Sequence, residues 1–279
     1  MKLKLAFLLF LPSLILFTAN GSYASEKEIK QSPQLSGELY LPLKDQMKEI
    51  DTAIFKAKQN GKLVLIVMGA NWCHDSRALA SRLFLSELQP TIEAHYQLVF
   101  IDVGYFTNVK PVITRFGMPI IYATPTVLII DPSTEIQINR HNMHIWRDAY
   151  KISVEESVEY FTDIASSRKV LLAARQKSLA NKSKKLANLN ASIDQFELQQ
   201  SKRLYQAYSI LGPMLESTKE GAEPDEFRAY WKQVAKFRYQ FTDDLAELRK
   251  KAIQLDSEKS EQNLLSFPQY ASFDWEVEK

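Results

Sequence analysis

The sequence predicts an α/β protein, a mixed central sheet flanked by helices, followed by an α-helical hairpin. Three observations predict it. Short continuous apolar runs at 63–68, 98–103 and 126–130 alternate with stretches of helical period, the pattern of a sheet with helices on both faces. The run Leu-Val-Leu-Ile-Val-Met at 63–68 shows no in-out alternation, as expected of a strand covered on both sides. From residue 167 onward a long apolar stripe spaced by threes and fours is set among charged residues, which describes one buried face of extended helices.

Taken in chain order, Lys2 and Lys4 precede an apolar run over 5–17, and Ser22 and Ala24 supply small residues at a cleavage site. Residues 1–24 therefore read as a secretory signal peptide. An uncleaved anchor is the rival, but Pro12 interrupts the run, and a span wants roughly 18 or more apolar residues. A polar leader at 25–37 opens onto an expected domain over 38–166. Its first helix spans 45–60, with Met47, Ile50, Ile54 and Phe55 at helical spacing and Gly61 as its stop. After the 63–68 strand, a helix starts near Cys73 and continues through Leu79, Leu83, Leu88 and Ile92, kinked at Pro90. A second buried strand at 98–103, a short helix at 112–116 and a third strand at 126–130 follow, and 135–139 is placed to return antiparallel. Asp102 and Asp131 read as turn residues. Ser153 and Glu156 form a capping box for a helix that carries Val154, Val158, Phe161 and Ile164.

Beyond 166, Leu172, Leu179, Leu186 and Ile193 recur every seven residues. Breaks at Gly212-Pro213 and at 221–224 separate this run from a second stripe through Phe227, Trp231, Val234, Phe237, Phe241 and Leu248. The expectation is an antiparallel helical hairpin over 167–260, folded back to cover the preceding domain; homodimerisation or capture of a client are the alternatives. The aromatic tail at 261–279, with Phe267, Tyr270, Phe273 and Trp275, is expected to dock.

A net charge of +2 does not call for a nucleic-acid partner. The sequence contains one cysteine, Cys73. In an exported chain a lone thiol forms no internal disulfide and is either partner-seeking or an inert buried group.

A buried strand, then Trp72-Cys73-His74-Asp75-Ser76 at a helix start, then Ala123-Thr124-Pro125-Thr126 opening a later strand, resembles the thioredoxin superfamily over about 38–166. The resemblance implies a thioredoxin-like fold, a cis Pro125 beside Cys73, and Thr124 offering backbone groups to an extended substrate. The sequence departs from the family in three places. Ser76 stands where the second cysteine is usual, Val67 where thioredoxin has a buried acid, and the helical extension is additional.

A thiolate is the nucleophile in such chemistry. A helix N-terminus favours an anion, a protonated His74 adds to this, and Ser76 is placed to donate a hydrogen bond to the sulfur. Asp75 opposes it, and Trp72 reads as a shield beside the thiol. The expected Cys73 is therefore partly exposed and readily ionised. Its chemistry is thiol–disulfide exchange through a single cysteine, as isomerase or monothiol reductase, with protein thiols, disulfides or glutathione as partners. The rival is a non-catalytic binding module that uses the Pro125 groove or the helical hairpin. No cofactor beyond glutathione as co-substrate is expected, and the location is periplasmic or secreted. His141 and His144 have weak metal-ligand spacing, and no metal is expected.

Overall fold

The computed structural model describes residues 38–107, 109–140, 142–180, 183–219, 225–257 and 265–276. The expected signal peptide and polar leader, the break at 221–224 and His141 lie outside the described residues. From residue 38 on, the described residues belong to one compact unit.

Helix α1, Gln46–Asn60, begins where the Asp45 carboxylate accepts the Lys48 N–H, and ends at Gly61 with φ of 66°, a left-handed turn that glycine makes without Cβ strain. Ile50, Ala53, Ile54 and Ala57 face the core. Phe55 does not; it is 61% exposed, because one residue past Ile54 turns it about 100° around the helix.

Strand β1, Leu63–Gly69, is buried along its whole length and is central in the order β2-β1-β3. It pairs in parallel with β2, Tyr96–Asp102, and antiparallel with β3, Thr126–Ile130, so Leu65 sits between Leu98 and Ile129. The parallel pair needs a crossover. Helices α2, His74–Arg82, and α3, Gln89–His95, supply it. One kinked helix was expected here. Pro90 instead lies in the first turn of α3, where its missing N–H costs nothing, and Leu83 and Leu88 are buried in the turn between the two helices. β2 is an edge strand and only half-buried, not the fully covered strand expected. Only Gln137 of 135–139 bridges to Ile130. The Asn139 side chain completes that edge, accepting the Ile129 N–H and donating to Val127 O, both at 2.9 Å.

Because side chains alternate along a strand, β1 feeds two cores. Leu63, Leu65 and Val67 pack with Leu79, Leu88, Trp146 and Phe161. Val64, Ile66 and Met68 pack with α1, with the short helix α4 (Lys110–Arg115), and with the long C-terminal helices. After a 3-10 segment at Met143–Lys151 comes α5, Val154–Ser166, with both bonds of the Ser153–Glu156 capping box formed.

The extension consists of α6 (Arg168–Ala180), α7 (Lys184–Thr218) and α8 (Phe227–Ser257). The seven-residue repeat is therefore split between α6 and α7 and makes no continuous seam. Ser183, ahead of α7, bonds Asp256 near the end of α8, so the two helices run antiparallel. The expected break at Gly212-Pro213 does not occur; Pro213 lies inside α7. The buried stripe Ala207, Tyr208, Leu211 and Leu215 runs straight past it, and burial outweighs the lost backbone hydrogen bond. In the tail, Phe273 is buried against Phe237, Phe267 packs on Phe196, and Arg203 forks onto Glu276 at 2.6 and 2.8 Å.

Candidate functional site

β1 delivers the chain to a tight turn in which the Cys73 N–H bonds Ala70 O at 3.1 Å. Cys73 is then the N-cap of α2, and its carbonyl accepts the Arg77 N–H at 3.1 Å. Its sulfur accepts no bond from the first helical turn. It turns across to the start of β3, where Sγ lies 3.1 Å from Thr124 O. That contact uses the S–H proton, so it belongs to the thiol form. The Thr124–Pro125 bond is cis, and Thr126 Oγ1 donates to Ala123 O at 2.7 Å.

The expected partly exposed sulfur is not observed: Cys73 is buried, with 8% of its surface accessible. The reason is its inward turn onto Thr124. Trp72, half-buried beside it, donates from Nε1 to Gly104 O at 2.9 Å and sets its ring edge-on to Phe106 and Trp231. Trp72, expected as a shield, is thus held against α8. Ser76 is fully buried, and its hydroxyl has no hydrogen-bond partner among the described residues, so it makes no bond to the sulfur. His74 points outward with its side chain 67% exposed and pairs with Asp75 at 3.1 Å. The Asp75 carboxylate also accepts the Tyr150 N–H at 2.8 Å. Burial raises the Asp75 carboxyl above its usual range and Asp148 adds to this, while the Tyr150 N–H and His74 offset part of it.

Tyr40, Asn71 and Gly69 complete the site and were not singled out in the sequence. Asn71 clasps Tyr40 by accepting its N–H at 3.2 Å and donating to its carbonyl at 2.8 Å. The Tyr40 hydroxyl donates to Ser76 O at 3.1 Å. Burial pushes that hydroxyl far above the ordinary tyrosine range, and the neighbouring Cys73 pushes the same way. Gly69 lets the ring in, since a Cβ there would lie 2.6 Å from Tyr40 Cζ and 2.7 Å from Ser76 Oγ. The only local sign of Tyr40 is the apolar triplet Leu39-Tyr40-Leu41, which gives no hint that it lies under Ser76.

Among the described residues no group of three or more His, Cys, Asp and Glu is placed to hold a metal ion. No described helix is long and apolar enough to cross a membrane. Chemically, the arrangement offers one thiol against a backbone carbonyl, which accepts a hydrogen bond but is too weak a base to take the proton.

A sheet that places a helix-capping cysteine against the start of a proline-led strand is the arrangement of a thioredoxin-like domain. Residues 45–132 match a family model described as thioredoxin-like, and that segment belongs to the thioredoxin-like superfamily. Among solved structures, the crystal structure of a disulphide isomerase from Xylella fastidiosa Temecula1 is similar, with 26% identity and a TM-score of 0.42 over 47% of this chain and 98% of the other. No curated protein matches the chain.

Proposed function

We propose that the protein carries out thiol–disulfide exchange through Cys73 alone, on protein clients, in an exported setting. The observation that carries this reading is the sulfur at the start of α2, 3.1 Å from the carbonyl that opens the β3 edge. An extended client that pairs with the 124–126 backbone would compete for that carbonyl and bring its own disulfide to Sγ.

Once Cys73 has released its proton to solvent, its thiolate attacks one client sulfur. A Cys73–client disulfide forms, the client S–S bond breaks, and the second client sulfur leaves as a thiolate. Ser76 supplies no second thiol. Release needs another client thiolate, which regenerates Cys73 and leaves a rearranged client disulfide, or glutathione, which leaves a client–glutathione or Cys73–glutathione disulfide for a second glutathione to reduce.

Capture tests this. Wild-type protein from cells quenched with acid should run as client adducts on non-reducing gels, and Cys73→Ala should show none. A Cys73→Ala variant that retains every partner supports the second reading, a non-catalytic module holding partners by the Pro125 groove or the helices, which the 8% exposure of Cys73 favours.

A further inference from the structure

A cavity of about 900 Å³ lies between the segment carrying Pro119, Tyr122 and Pro125 and the helices α6, α7 and α8. Cys73 is not part of its wall. Its size is that of a small-molecule site. Pro119, Leu245 and Ile253 give it apolar surface, while Arg140, Arg147, Arg175, Arg249 and Lys250 line it together with Asp194 and Glu197.

The ion pairs account for nearly all of that charge. Glu197 is buried and takes Arg249 at 2.5 Å, Arg140 at 3.4 Å and the Tyr122 hydroxyl. Asp194 takes Arg249 at 2.9 Å. Arg147 is held by Asp243 at 2.8 Å and Thr242 at 2.5 Å, and Lys250 pairs with Glu247 at 3.8 Å. Arg175, on α6, is left over. Among the described residues its guanidinium has no hydrogen-bond or ion-pair partner, and its Nε is buried and unsatisfied. Burial disfavours its charge, the neighbouring Arg140 and Arg249 disfavour it further, and Asp194 offsets only part of this. Arginine does not give up its proton in proteins, so the charge stays and is open to pairing with an anion.

We propose that this cavity binds a small organic anion, an apolar body carrying one carboxylate or phosphate, with Arg175 pairing the anionic group beside Pro125. The inference does not rest on the redox reading. The test is calorimetric titration of the full chain with octanoate, octyl phosphate and octylammonium. At least one of the two anions should bind at one site, the tighter one identifying the head group, and octylammonium should not bind. Arg175→Gln should weaken binding at least tenfold, and Cys73→Ala should bind as wild type, which separates this site from the thiol chemistry. Ala246→Phe, an exposed position on the cavity wall, should block binding while leaving the core untouched, and serves if Arg175→Gln fails to fold. Absence of binding by both anions, equal binding of octylammonium, or unchanged binding in both variants would overturn the proposal.

Discussion

Substituting alanine for Gly212 sets helix propensity against packing, and the structure gives the sign. Within an α-helix the change should stabilise by about 1 kcal/mol. Gly212, however, faces the Tyr105 carbonyl oxygen, and an added Cβ would come closer than 3.0 Å to it. Both sides of this contact are backbone, so no side chain can swing away. The two backbones must part by roughly 1 Å to reach ordinary van der Waals separation. Overpacking of this kind costs about 1–3 kcal/mol. The same movement strains the Phe106–Tyr208 stack, whose centroids are 4.2 Å apart, at about 0.5–1.5 kcal/mol. Less the gain in propensity, the expected net effect is a destabilisation of about 0.5–3.5 kcal/mol. Urea unfolding followed by tryptophan emission reads it as a lower midpoint at unchanged slope. Because Trp72 is bonded to Gly104 O, next to Tyr105, its native emission should shift as well. A Gly212→Ala protein as stable as wild type, or more so, would refute the reasoning that α7 is seated on this segment by backbone contact.

Gly69→Ala should break the seat of Tyr40 beneath Ser76, destabilise by about 1–3 kcal/mol and, by loosening the start of α2, raise the rate of Cys73 alkylation by maleimide; an unchanged rate would mean that this seat does not govern access to the sulfur. Asp131 gives the acid limb of stability. Burial alone would raise its carboxyl, but hydrogen bonds from Arg168 and Thr134 outweigh this and hold it below the usual range. With the folded value below the unfolded one of about 3.9, the contribution is present above about pH 4 and is lost as pH falls through the folded pKa. The stability difference between wild type and Asp131→Asn, from urea unfolding between pH 7 and pH 3, should shrink below about pH 4; a constant difference would discount the Arg168 pair.

What could be read from sequence was local. The α1 boundaries follow from Asp45 and Gly61, the α5 start from Ser153 and Glu156, and β1 from an unbroken apolar run, because caps and strand burial are decided within a few residues of chain. Cys73 at a helix start opposite the 124–126 strand was legible too, through short motifs at both ends. What failed depends on contacts between distant segments. Tyr40 reaches Ser76 across 36 positions, and no periodicity encodes that. Pro90 and Pro213 look alike as helix breakers. One begins α3 and the other lies inside α7, because propensity is worth a few kcal/mol at most and a continuous buried stripe exceeds it. The outward turn of His74 and the inward turn of Cys73 were also beyond the sequence. Side chains next to each other in the chain leave a helix start in different directions, and only the surrounding packing decides which one faces the solvent.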